Sequence, residues 1–158
     1  MPSLRDYLDH PHPDIQPWTM ILDVDPTGLP VRLFGAGLAE FAGMDGTGLD
    51  FTWAAPEDQR AQLLARDTLC ATHPCGLRLG MLATTNNGRT FVNNVMVLPV
   101  TRSASAYSLV RVSDVGPVVA LEDAVKPMSV KNYTLAEWVD IGAGTPTALP
   151  WFEGSSKT

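Results

Sequence analysis

The stretch "VRLFGAGLAEFAGMDGTGLDF", Val31 to Phe51, carries five glycines. Glycines at this density either cradle phosphates at the mouth of a parallel α/β sheet or let the chain turn and pack closely, and the architecture follows from which is true. A dinucleotide-binding fingerprint needs glycine at its first, third and sixth positions. Counting from Gly35, the third is Gly37 but the sixth is Glu40, whose carboxylate would repel phosphate. Residues 29–34 belong to a hairpin, so no βαβ unit follows, and no lysine precedes Lys126 to complete a P-loop. The glycines are therefore read as turn and helix-end residues.

Upstream, "WTMILDV" (18–24) is rich in strand formers, "DPTG" (25–28) is turn chemistry, and "LPVRLF" (29–34) resumes in extended form. This predicts a β-hairpin. Downstream, residues 35–43 can make only a short helix, because glycines punctuate it. "PEDQRAQLLARDTLCATH" (56–73) has proline and acids in its first turn and predicts a longer helix, stopped by Pro74. Ala61, Leu64, Ala65, Thr68, Ala71 and Thr72 share one face of that helix at helical spacing. "LRLGML" (77–82), "TFVNNVMVLPV" (90–100) and "AYSLVRV" (106–112), separated by an Asn-Gly turn and a short loop, read as three strands of a meander. The expected fold class is α+β, with a five-stranded antiparallel sheet and its helices on one face.

Residues 1–17, with "LRDYLD" making one or two helical turns before a proline-rich run, read as an N-terminal arm, and 18–116 as the domain. Residues 117–158 read as a weakly patterned extension. Within them, Thr134 and Glu137 of "YTLAEWVDI" suggest a capping box and a short helix.

The order of these elements resembles the PAS fold, specifically a bacterial, mainly alphaproteobacterial, group of small proteins that consist largely of one PAS-like domain. The residues carrying the resemblance are "MILDVDPTGLPVRLFGAGLAEFAGMDGTGLDF", the long helix, "NNGRTFVNNVMVLPV" and an aromatic near Tyr7, together spanning roughly residues 5–115. The resemblance implies a sheet under short helices, a cavity between them that holds a small molecule or is filled by side chains, and a non-catalytic sensory or docking role, often as a dimer.

Charge agrees with such a role and opposes others. Eleven basic against seventeen acidic residues give −6, so no field draws in a nucleic-acid backbone. The start lacks the apolar core of a signal peptide and no run is long enough for a membrane span, so the expected location is the cytoplasm. Cys70 and Cys75 are then reduced thiols.

Chemistry-bearing residues are sparse. The resemblance would allow haem on a long-helix histidine, but His73 precedes Pro74 and lies off the small-residue face, so it reads as a helix-end histidine. The lid segment "GLDFTW" has no thiol for a flavin photoadduct, although plain flavin binding stays open. Cys70, His73 and Cys75 lack the spacing of a zinc knuckle, and no second Cys/His pair follows. No nucleophile elbow or matched carboxylate pair is present, so no catalytic or metal residue is assigned and the cofactor stays unknown.

Phe41, Trp53, Leu64, Thr68, Asn93 and Met96 are the candidate ligand-binding residues, with Leu98 and Asn94 as neighbours. The expected partners are an unidentified small molecule, a protein, or a second copy joined through the arm with Tyr7 and Trp18, and neither nucleic acid nor membrane. Two alternatives stand beside this one: a small α+β pocket enzyme of cystatin-like type, and a purely structural dimerisation module with a filled interior.

Overall fold

Thr19–Asp23 (β1) is buried along its whole length, which demands partners on both edges and cover on both faces. Along one edge it pairs antiparallel with Val31–Phe34 (β2), and along the other with Ala106–Leu121 (β5), Met20 lying opposite Arg111 and Leu22 opposite Leu109. β5 pairs with Arg89–Ser103 (β4), and β4 with Gly76–Thr84 (β3). The hairpin is thereby joined to the later meander in one antiparallel layer. The computed structural model describes residues 1–10, 12–121 and 129–147, and among these the protein is an α+β structure with few helices.

Alternation along the strands sorts the two faces. Met20, Leu22, Leu77, Leu79, Val97 and Leu109 face the main core, which is roofed by the chain between β2 and β3. That roof consists of Ala36–Ala42 (α2), the 3-10 turns Phe51–Ala54 and Glu57–Gln59, and Arg60–Thr72 (α3). Ile21, Val100 and Val110 face the other way and pack with Leu4 of Leu4–Asp9 (α1). Ser3 and Asp6 form a capping box at the start of α1, and the Tyr7 hydroxyl donates to Thr19 Oγ1 at 3.2 Å. The arm is thus tied to the first strand.

The glycine-rich stretch has a packing explanation. A Cβ on Gly35 would collide with the carbonyl of Pro17, so this position lets α2 start against the 3-10 turn Gln16–Trp18. α2 ends at Gly43, whose φ of 72° is left-handed and closes the helix by an N–H bond to the Ala39 carbonyl.

Two expectations are corrected. Among the described residues the sheet has six strands, in the order β2-β1-β5-β4-β3-β6. The sixth, Ser129–Val139 (β6), occupies the segment expected to hold a short helix capped by Thr134 and Glu137, and it pairs antiparallel with β3. Its pattern explains the misreading. Opposite the inward residues Leu79, Met81 and Ala83 stand Ala136, Tyr133 and Val130, because irregularities between Gly80 and Met81 and between Leu82 and Ala83 each insert an extra residue into β6. Burial therefore recurs every third residue, which imitates a helix although the backbone is extended. Residues 122–128 and 148–158 of the expected extension lie outside the described residues.

The second correction concerns α3. Its buried residues are Leu63, Arg66, Asp67, Cys70 and Ala71, whereas Ala61, Ala65 and Thr72 are exposed. The helix is rotated by about one residue from the face expected, because its buried stripe includes Arg66 and Asp67, which are paired in the interior.

The bulged register of β6 is directly testable. Ala136→Asp, which buries a carboxylate opposite Leu79, is expected to cost more than about 3 kcal/mol in urea unfolding. Thr134→Asp is expected to change stability by no more than about 0.5 kcal/mol. Plain alternation from Ala136 would instead turn position 134 inward and make both substitutions severe.

Candidate functional site

α2 and the turn Phe51–Ala54 leave a cavity of about 50 Å³ above the sheet. Leu38 and Phe41 of α2 and Phe51 supply its roof, Phe91 and Val95 of β4 much of its floor, and Val130 of β6 also lines it. Phe41 fixes the roof: its ring meets Phe91 edge-on at 4.8 Å and Trp18 at 6.5 Å, with the Arg89 guanidinium 5.7 Å from its centre. A seven-residue helix with no side-chain N-cap has little stability of its own. The position of α2 thus depends on these ring contacts.

The wall is mainly apolar, and its polar groups are Thr85, Asn93, Arg111 and Ser113. Asn93 Nδ2 donates to Ser113 Oγ at 3.4 Å, while Asn93 Oδ1 is buried with no hydrogen-bond partner among the described residues. These groups are hydroxyls, an amide and a guanidinium, which can hydrogen-bond and orient an occupant.

Behind the cavity wall lies a buried charge cluster. Asp67 is fully buried and accepts from Arg66 Nε at 2.9 Å and from Arg111 Nη1 at 3.0 Å. The Arg111 guanidinium sits 4.7 Å from the Phe51 ring centre and that of Arg66 sits 5.3 Å from Tyr133. Burial pushes Arg111 below its ordinary value despite the attraction of Asp67. Burial also opposes the charge of Arg66, but Asp67 beside it and Tyr133 push it up. Both remain cations, since a guanidinium does not deprotonate in proteins. One carboxylate thereby ties α3 to β5.

A second cluster staples the strands at the far end of β1. Asp23 accepts from Arg32 Nε and Nη2 at 2.9 and 2.7 Å, from Ser108 Oγ at 2.7 Å and from Arg102 Nη1 at 2.5 Å. Burial favours the protonated carboxyl, but the Arg32 and Ser108 hydrogen bonds outweigh it and hold Asp23 below the usual carboxylate range. Cys70 and Cys75 are buried, with Cys70 Sγ 3.1 Å from the Cys75 carbonyl, and burial pushes both thiols up, away from reactivity. His73 caps α3 through its backbone. Among the described residues no three His, Cys, Asp or Glu converge to hold a metal ion.

Of the six residues singled out in the sequence, the structure brings Phe41 and Asn93 together on the cavity wall. Trp53 and Leu64 pack against the main core but do not line the cavity, and Thr68, half-buried on α3, accepts from Thr72 Oγ1 through its carbonyl. Met96 alternates with the inward Val95 and Val97 and therefore lies on the opposite face of the sheet, as does the exposed Leu98. The cluster of Arg66, Asp67 and Arg111 was missed. Its signal was present in helical spacing, since residues 63, 66, 67, 70 and 71 form a complete stripe, and in the alternation that puts Arg111 on the face of Leu109.

The sequence matches no protein-family model, and no curated protein and no solved structure gives a match. Among the described residues no helix is long and apolar enough to cross a membrane.

Two outcomes follow from the clusters. Asp67→Asn removes the carboxylate that both buried guanidiniums hold and is expected to cost about 3–5 kcal/mol in urea unfolding. Asp23 has a folded pKa below its ordinary 3.8, so its stabilisation is complete above that value and is lost as pH falls through the folded pKa. Asp23→Asn is expected to lower stability at pH 7 by roughly 2 kcal/mol. The gap to the parent protein should close between about pH 5 and pH 2, measured by unfolding at each pH.

Proposed function

We propose that this chain is a non-catalytic, PAS-like sensory module that takes a small molecule between its sheet and α2. The observation that carries this reading is the single antiparallel layer joining hairpin and meander, with the intervening chain on one face and an apolar cavity beneath it. That is the arrangement the resemblance to PAS proteins implies. The polar groups of the cavity suit binding, and the two hairpin strands precede the long helix, where a cystatin-like enzyme would place its long helix first.

Signal transfer would be a shift between two packings of α2. The helix buries Leu38 and Ala42, sets Phe41 against Phe91 and Trp18, and rests on residues 16–18, which lead directly into β1 beside the α1 arm. An occupant that favours one position of Phe41 changes the populations of both by its differential affinity. The small volume supports one competing reading, a structural dimerisation module with a filled interior.

Ala83→Ile, which adds bulk to the cavity floor from β3, mimics occupancy. In hydrogen exchange it is expected to change α2 amide rates at least about tenfold, equivalent to some 1.4 kcal/mol of local stability. Residues 16–18 and α1 should respond while the centres of β3, β4 and β5 keep their rates. Unchanged exchange in α2 would favour the filled module and remove the sensory reading.

A further inference from the structure

We infer that the occupant of this cavity is a short aliphatic carboxylate whose headgroup is held by Arg111, an inference that rests on the proposed ligand-binding role and names the chemistry of that site. Arg111 is 3% exposed, yet it forms part of the cavity wall. A guanidinium out of water needs a counter-charge to offset its lost hydration. Among the described residues its ion pair is with Asp67, through Nη1 alone, and the other oxygen of that carboxylate is taken by Arg66 Nε. The Phe51 ring face at 4.7 Å adds a weaker, quadrupolar attraction. A guanidinium has five N–H donors in a fork that matches a carboxylate, so the wall presents a cation whose anion is shared.

Asn93 adds a second polar contact. Its Oδ1 is buried without a partner among the described residues, and its Nδ2 donates over a long 3.4 Å to a hydroxyl that could equally donate back. Turning the amide by half a revolution keeps the Ser113 bond and puts an N–H where the unpartnered oxygen stands, and the two orientations are nearly equivalent in shape. Arg111 and Asn93 both line the cavity, so donors are offered from β5 and from β4.

Size and lining define the rest of the ligand. Leu38, Phe41, Phe91 and Val95 offer it no polar partner, so it is hydrocarbon. A cavity of about 50 Å³ is about a third of the roughly 150 Å³ that admits benzene. At that ratio only the smallest acids enter, on the order of two or three carbons and with α2 giving way, which excludes haem and flavin from this packing.

The test uses the whole chain with sodium propionate, comparing propionamide as the neutral analogue and sodium chloride at matched ionic strength. Propionate is expected to bind saturably by calorimetry and to raise Tm by roughly 5–10 °C at a hundred times its Kd, with less than about 1 °C from either control. Arg111→Met, which leaves the Arg66–Asp67 pair in place, should weaken propionate at least about tenfold. If that variant does not fold, Ala83→Ile, which fills the cavity and keeps Arg111, should abolish the saturable binding.

Equal stabilisation by propionamide would overturn the carboxylate assignment while leaving a ligand-binding cavity. Equal stabilisation by chloride would overturn it as well, since screening alone would then account for the effect. Absence of saturable propionate binding would also overturn it, whereas the sensory reading stands or falls separately on the response of α2 in hydrogen exchange.

Discussion

The structure is organised around one fully buried carboxylate. Asp67 receives a guanidinium from its own helix and another from the central sheet, and so fixes the rotation of α3 about its axis as well as its distance from β5. An apolar stripe would tolerate small rotations with little penalty, because dispersion contacts are not directional. Charge-assisted hydrogen bonds at 2.9 and 3.0 Å do not. The placement of Leu63, Cys70 and Ala71 against the sheet follows from that fixed rotation.

The same cluster separates a rigid part of the roof from a movable one. α3 is anchored by ion pairs and by apolar burial along thirteen residues, whereas α2 has seven residues and is positioned by the burial of Leu38 and Ala42 and by the ring of Phe41, with no ion pair to α3 or the sheet among the described residues. Directly beneath α2, the wall changes from hydrocarbon to the amide of Asn93 and the guanidinium of Arg111. An interior that is closely packed on one side and loosely held on the other responds to a guest by moving the loose side.

Much of the layer was legible in the sequence, since the turn chemistry at 25–28 and at the Asn-Gly pair fixed where strands reverse, and alternation marked their faces. The hairpin, the short and long helices and the first two strands of the meander lie close to their expected limits, whereas the third, expected over 106–112, runs on to Leu121, past the expected end of the domain at 116. What failed did so for identifiable reasons. β6 hides behind a three-residue periodicity produced by bulges, whose positions depend on the partner strand. The face of α3 was misjudged because Arg66 and Asp67 count as surface residues until a third charge, on a strand some forty residues away, is known to meet them. Cavity residues fared unevenly: Phe41 and Asn93 were accessible from aromatic content and strand alternation, but Met96 was placed on the wrong face, and Met81 and Val130 needed the three-dimensional pairing.

The irregular β6 also bears on how the molecule behaves in a crowd. Among the described residues the outer strands of the layer are β2 and β6, and Val31 of β2 already bonds outward to Gly48 and Leu49. β2 offers four residues, and the two inserted residues of β6 interrupt what would otherwise be a straight row of donors and acceptors. Neither border is a good template for strand addition, so the distortion that disguises β6 in the sequence also protects the folded chain from fibrous self-association.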